Sequence, residues 1–371
     1  MCRGWCPLSN QSTAVTIDAL TEIWQRVLQR VSIGTDDNFF DLGGNDILAD
    51  DLFAEIAKVG GPVLPSATLC RAPTIRALGA LLARPTLPQF SPFVLLRAGS
   101  VYPPIIIAHG MGGRASFSQL AKHIGTSNPV YGIQARGVDG LEAPLDRIED
   151  MATLYLDALK QLQPEGPYIL IGYSFGGLVA LEMAQCLVED GKNIALLMLI
   201  DTYPHPRYLP SRERLRLFVK RMGGHFSRIK RLPVRSSFSH LLRALQLRFH
   251  AAESNDPRAV IPETLRLSLV RTTARVKESD FVALRHYRPR FYRGKITFVR
   301  PETNSYLPTD PAAIWKKLAA DFEVETVPGD HLGMVGTHFE RLAEVLTRHA
   351  EKAVAAAPAA DLNRLAGKMS H

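Results

Sequence analysis

The chain has 371 residues, 46% of them hydrophobic and 22% charged, with a formal net charge of +8. That length accommodates two domains, and that composition fits a folded globular chain and excludes a disordered or fibrous one. No run of about 18 apolar residues occurs, the opening MCRGWCPLSNQ lacks the apolar stretch of a secretory signal, and the cysteines at 2, 6, 70 and 186 show no metal spacing beyond one weak pair, so reduced thiols in a cytoplasmic protein are expected.

Ile17, Leu20, Ile23, Trp24, Val27, Leu28 and Val31 share one helical stripe. A second helix is expected from about Asp46, with Leu48, Leu52 and Ile56 on one face, and a short one from Pro73 to Ala83. Together these make a small all-α bundle over residues 14–85. The prolines of PTLPQFSP stop helix and ladder alike, so residues 86–92 read as a linker. From 93 to 350 the pattern changes. Apolar runs VLL, IIIAH, VYGI, YILIGYS, ALLMLID and ITFV alternate with helical stretches such as Met151 to Leu162 and Leu178 to Val188. That alternation implies an α/β domain with a mostly parallel sheet covered on both faces. The long insertion at about 203–290 reads as a helical lid over the end of the sheet that holds the site. Within it Leu215, Phe218, Val219 and Met222 follow i, i+3, i+4, i+7, and parts of Leu241 to Phe249 do likewise. Residues 351–371 read as a mobile tail.

The positive charge is local. Residues 203 to 250 hold twelve Lys and Arg against one acid, Glu213, which leaves 32 basic and 35 acidic residues elsewhere. Arg207, Arg212, Arg214, Arg216, Lys220 and Arg221 are either the solvated face of lid helices or a landing surface for an acidic partner.

GYSFGG, residues 172–177, follows a strand and precedes a helix, the setting in which G-x-S-x-G forms a nucleophile elbow. A serine hydroxyl is a weak nucleophile and needs a base that an acid orients. His331, in the late loop VPGDHLGMV, fits the base. Two strand ends offer the acid: Asp201 closes ALLMLID and Glu302 closes ITFVRPE. Asp201 is preferred, although a strand-end carboxylate is also a common turn cap. Two N–H donors must meet the oxyanion of a tetrahedral intermediate. Phe175, directly after Ser174, is one, and Met111, in HGMGG after IIIAH, is the choice for the second.

In their order along the chain HGMGG, QARGVDG, QPEGPYILIGYSFGG, ALLMLIDTYP and VPGDH resemble the thioesterase domain of nonribosomal peptide and polyketide synthases. Residues 14–85, through FFDLGGN, resemble the carrier domain that precedes such thioesterases. The resemblance implies an α/β-hydrolase fold with a helical lid behind a small carrier bundle. It also implies an acyl-enzyme on Ser174, with Asp201 and His331 as partners, and release of an acyl or peptidyl chain from a carrier thioester by hydrolysis or cyclisation. One position departs from the family. The serine that bears phosphopantetheine is Asp46 here, and neither Asn45 nor Ile47 replaces its hydroxyl. Aspartate at a helix start is a good N-cap, so folding tolerates it while carrying does not. No covalently bound cofactor and no metal are therefore expected, and substrate should arrive on the phosphopantetheine of a separate carrier docking near the basic lid.

Two other readings remain. A catalytically idle docking subunit is suggested by Asp46 and opposed by the intact Ser174, Asp201 and His331. A lipase or esterase is suggested by the basic lid, since cationic amphipathic helices lie on anionic lipid. Nucleic-acid binding has no supporting motif.

Overall fold

The computed structural model describes residues 15–44, 46–62, 64, 68–84, 90–114, 117–140, 142–209, 211–212, 214–215, 263–303 and 310–356. The expected lid stripes at Phe218, Val219 and Met222 and at Leu241 to Phe249, and the basic positions Arg216, Lys220 and Arg221, lie outside the described residues, as does most of the linker.

The first unit is helical: α1 (Ile17–Leu28), α2 (Asp46–Lys58), α3 (Thr68–Arg71) and α4 (Ile75–Leu82). Thr16 and Thr74 cap α1 and α4 by accepting from the Ala19 and Ala77 N–H groups, each satisfying an orphan donor of the first turn. The apolar stripes of these helices meet around Trp24, whose ring stands edge-on to Phe39 at 5.1 Å. Leu20, Leu52, Ile56, Leu69 and Leu78 are buried with it. The stripe ends sooner than its periodicity suggests. Gln29 turns left-handed (φ 54°) and closes α1, so Val31 is 97% exposed and not part of the core. The glycines of FFDLGG are structural. Gly43 has φ +95°, and a side chain on Gly44 would strike the Phe39 ring.

The second unit is a seven-stranded sheet of β1 (Phe93–Arg97), β2 (Ile105–Ala108), β3 (Val130–Ile133), β4 (Tyr168–Tyr173), β5 (Ile194–Ile200), β6 (Tyr292–Pro301) and β7 (Ala319–Val327), in the order β1-β3-β2-β4-β5-β6-β7. Only β1 runs antiparallel to its neighbour. The helices are α5 (Ser118–His123), α6 (Ile148–Leu162), α7 (Phe175–Glu189), α8 (Glu263–His286), α9 (Ala312–Trp315), α10 (Gly333–Gly336) and α11 (Phe339–Ala356). Side chains alternate across the sheet with the strand period of two. Ile106, Tyr168, Leu170, Leu197 and Leu199 pack with α6 and α7, and Ile105, Ile107, Ile169, Ile171 and Met198 pack with α5 and α11. Both faces are thus covered, as the unbroken apolar runs require.

Two expectations need correction. Helix α11 continues through Ala356 with Ala353 buried, so the tail is ordered six residues beyond the expected boundary at 351. The sheet also has a seventh strand, β7, beyond the six apolar runs named from the sequence. The two units touch at the FFDLGG loop. The Lys122 Nζ donates to the Asp41 carboxylate at 2.6 Å, and Gln119 Nε2 donates to the Phe40 carbonyl at 2.8 Å. Helix α5, which carries both donors, follows directly from the segment after β2.

Candidate active site

The site lies at the carboxyl ends of β2, β4 and β5 and in the loop after β7, where an open α/β sheet presents its ligand crevice. Ser174 leaves β4 with φ 55° and ψ −118°, a backbone region that costs a non-glycine residue about 1–3 kcal/mol. Three glycines make the turn feasible. A Cβ on Gly172 would collide with the Gly177 Cα and the Gly176 carbonyl, one on Gly176 with the His109 carbonyl, and one on Gly177 with the Thr202 Oγ1. The Ser174 N–H donates to the Ile200 carbonyl at 2.8 Å, binding the turn to the end of β5.

The next residue on that strand is Asp201, 2% exposed and itself left-handed at φ 44°. Its N–H donates to the Val299 carbonyl at 2.8 Å, and the residue after it, Thr202, accepts from the Trp315 indole N–H at 3.0 Å. Asp201 Oδ2 lies 2.6 Å from His331 Nδ1, within reach of a charge-assisted hydrogen bond. Asp201 Oδ1 is buried with no partner among the described residues. Among the described residues the Asp201 carboxylate has one side-chain partner, the imidazole. Glu302 is exposed, its N–H donates to the Val327 carbonyl, and no contact joins it to His331. Of the two candidate acids, the structure brings only Asp201 to the histidine.

His331 is held from three sides. Gly329, at φ +91°, reverses the chain after β7, and the Asp330 side chain accepts the Gly333 N–H at 2.8 Å at the start of α10. Tyr173 stacks on the imidazole at 5.0 Å and donates its hydroxyl to the His331 carbonyl at 2.7 Å. Burial, with the Asp201 and Asp330 charges behind it, pushes the Tyr173 hydroxyl well above the ordinary tyrosine range, so it stays a donor. Tyr173 was not visible as a site residue, although it directly precedes the serine and so shares its turn.

Phe175 opens α7, so its N–H is a first-turn donor without an intrahelical acceptor. HGMGG forms the loop after β2. No described residue accepts from the Met111 N–H, whereas the Gly112 N–H is engaged by Asp280 Oδ2 of α8 at 2.8 Å. His109 is fully buried, contacts the Tyr155 hydroxyl at 3.2 Å, and burial lowers its pKa to about 4, which leaves it neutral. Asp280 was also missed. It had a signal: an acid on the otherwise apolar stripe Val276, Ala283 and Tyr287.

Among the described residues no cluster of His, Cys, Asp and Glu could hold a metal ion, and no helix is long and apolar enough to cross a membrane.

Residues 103–350 match the family model of the thioesterase domain, and residues 18–82 match that of the phosphopantetheine attachment site. The dimodular nonribosomal peptide synthase of Bacillus subtilis (strain 168) is 31% identical over 290 residues, 76% of this chain and 12% of that protein. The indigoidine synthase of Streptomyces lavendulae is 37% identical over 183 residues, 49% of this chain and 14% of that protein. The chain thus spans only a small part of the length of these relatives. A crystal structure of holo-AB3403, a four-domain nonribosomal peptide synthetase bound to AMP and glycine, superposes over 93% of this chain and 27% of that one, with TM-score 0.53 and 22% identity, a likeness of fold alone. With one model matched over more than half of its residues and the other just ahead of it, the chain belongs to the thioesterase domain family, joined to a carrier domain and homologous to modules of nonribosomal peptide synthases.

Proposed function

We propose that the protein is a serine thioesterase that releases an acyl or peptidyl chain from a carrier-bound thioester. The observation that carries this reading is the 2.6 Å pair between Asp201 and His331, beside a serine held on a left-handed strand-to-helix turn. Ser174 Oγ attacks the thioester carbonyl while its proton passes to His331. The oxyanion forms against the N–H groups of Phe175 and Met111. Collapse breaks the C–S bond, and the imidazolium protonates the departing thiolate. Water, or a nucleophile within the chain, then attacks the acyl-enzyme by the same route and restores Ser174. Asp201 keeps the His331 Nδ1 protonated and stabilises the imidazolium.

The chain's own carrier domain delivers no cargo. Asp46 begins α2, two residues after Gly44, and has no hydroxyl to esterify. Substrate then reaches Ser174 on the phosphopantetheine of a separate carrier. A carrier with an acidic surface would suit the charge of the basic segment 203–250.

The test has two arms. A fluorophosphonate probe should label the wild-type protein and not Ser174→Ala, and N-acetylcysteamine thioesters should be hydrolysed with the same dependence. An unlabelled wild type with no turnover would leave a docking subunit as the better reading. Incubation with coenzyme A and a broad phosphopantetheinyl transferase should leave the intact mass unchanged, and a gain of one phosphopantetheine would overturn the empty carrier.

A further inference from the structure

The loop HGMGG has one hydrogen bond of its own, from the Gly113 N–H to the Gly110 carbonyl at 3.3 Å, and the Ala135 N–H donates to the Gly113 carbonyl at 2.7 Å, but neither engages the N–H of Met111 or Gly112. Gly112 and Gly113 are consecutive left-handed residues at φ +96° and +78°, and glycine has the most backbone freedom to lose. A donor aimed at an oxyanion is useful only if its direction is fixed before charge develops. Something outside the loop must fix it.

One face of α8 does so. Thr273, Val276 and Asp280 fall at i, i+3 and i+7, a single stripe of a helix. Thr273 Oγ1 accepts from Arg114 Nη2 at 2.7 Å, and Val276 lies where any side chain on Gly113 would meet it at 2.8 Å. Asp280, 0% exposed, accepts the Gly112 N–H at 2.8 Å. A buried carboxyl is expensive to place on a helix. Burial raises this one to about 7, a cost that a lid helix built only for packing would avoid with a leucine.

We infer that Asp280 is a positioning residue of the oxyanion hole: from the lid-side helix it holds the Gly112 N–H and thereby sets the direction of the Met111 N–H one pivot away. The Gly112 N–H cannot serve the oxyanion itself, because it is already taken. Helix α8 follows the segment 203–262 in sequence, so the loop's geometry is tied to an element of the lid. This inference rests on the thioesterase reading and deepens it.

The experiment compares Asp280→Ala and Asp280→Asn with wild type, using an N-acetylcysteamine thioester, the rate of fluorophosphonate capture at Ser174, and thermal melting. Removing an oxyanion donor outright costs about 10²–10³ in turnover, and a donor left in place but unheld should cost on the order of 10–10². Asp280→Ala should therefore lower kcat and the capture rate together by that factor, with KM changed by no more than about twofold, since the loss falls on the transition state. Asp280→Asn, whose carbonyl oxygen still accepts from Gly112, should recover most of it. Wild-type kcat and capture rate in Asp280→Ala, with only the melting temperature lowered, would reduce Asp280 to a packing anchor and overturn the inference. An Asn variant as slow as Ala would overturn the hydrogen-bond argument. Should the Ala variant not fold, Asp280→Glu decides. It keeps acceptor and charge but displaces them by one methylene, and undiminished kcat there would equally refute a positional role. These outcomes are separate from failure of the thioesterase reading, in which wild type itself would lack Ser174-dependent capture and turnover.

Discussion

Replacing Asp201 by Asn removes one charge from a buried pair and leaves the backbone of the turn intact. At the 2.6 Å separation of Asp201 Oδ2 and His331 Nδ1, and an effective dielectric of about 20, carboxylate and imidazolium attract by at most about 6 kcal/mol. In the proposed mechanism that attraction acts when His331 carries the serine proton. Its loss therefore falls on the barrier, and 6 kcal/mol corresponds to roughly four decades in rate at about 1.4 kcal/mol each. The carboxamide adds a second fault. If its NH₂ faces Nδ1, the imidazole must carry its proton on Nε2 and cannot accept from Ser174. If its oxygen faces Nδ1, the NH₂ occupies the place of Oδ1, where no described residue offers a partner. That orphan donor costs about 1–3 kcal/mol of stability. The same substitution in a Ser–His–Asp protease costs about 10⁴ in kcat. We expect Asp201→Asn to melt within a few degrees of wild type, to keep its KM for an N-acetylcysteamine thioester, and to lose 10³–10⁴ in kcat, measured by thiol release under saturating substrate. Glu302→Gln, on an exposed side chain apart from the imidazole, should stay within twofold of wild type. Near-normal turnover in Asp201→Asn together with a large loss in Glu302→Gln would refute the assignment of the acid.

Three further outcomes follow from the same geometry. Gly177→Ala forces a methyl group into the Thr202 side chain, next to the Asp201 turn, and should destabilise the fold by about 1–3 kcal/mol or more, read as a lower melting temperature; an unchanged melt would show that the turn relaxes freely. If a carrier lands on the basic segment, turnover of a carrier-bound thioester should fall steeply between 0.1 and 1 M salt, where the screening length drops from roughly 10 to about 3 Å, while a free thioester changes little; reversing Arg214, Lys220 and Arg221 to Glu should reproduce that split at low salt, and equal salt responses would leave the charge as solvation only. On the far side of the sheet, burial opposes ionisation of Glu325, but hydrogen bonds from His349 and Arg348 and their charges outweigh it and hold its carboxyl below the ordinary value of 4.5. A depressed carboxylate contributes stability above its unfolded pKa and loses it as pH falls through the folded one, so the melting temperature should drop below about pH 4.5, and less so in Glu325→Gln; identical acid slopes in the two proteins would contradict this.

Much of the fold, and the placement of several residues of this candidate site, was legible in the sequence, and the reason differs by residue. The serine was readable because its turn is over-determined. Glycines at 172, 176 and 177 are each demanded by a named neighbour, so the motif records sterics as well as chemistry. The strands β2, β4 and β5 were readable because burial on both faces writes an unbroken apolar run. Strand β7 was not, since AADFEVETV pairs on one side only and alternates charged residues with apolar ones. The end of α1 was also missed. Nothing in the apolar spacing says that Gln29 turns left-handed and throws Val31 into solvent.

The choice between Asp201 and Glu302 shows where sequence reasoning gives out. Both are acids at the end of a parallel strand, with the same local pattern. What separates them is a left-handed φ at Asp201, which turns its carboxylate toward a histidine 130 positions away in the chain. That backbone is held by Thr202, which accepts the Trp315 indole N–H from α9 and fills the space that Gly177 leaves beside the nucleophile. Nucleophile turn and acid turn are therefore one packed object, and neither can relax without the other. The oxyanion loop is different in kind. Two of its glycines are left-handed, and its Gly112 N–H is engaged from α8 by Asp280. The rigid half of the site sits on the sheet and was written locally, where a motif could be read. The Gly112 N–H of the other half meets a side chain 168 residues away in sequence, and the local signal of that side chain, an acid on the stripe of Val276, Ala283 and Tyr287, does not say which loop it meets.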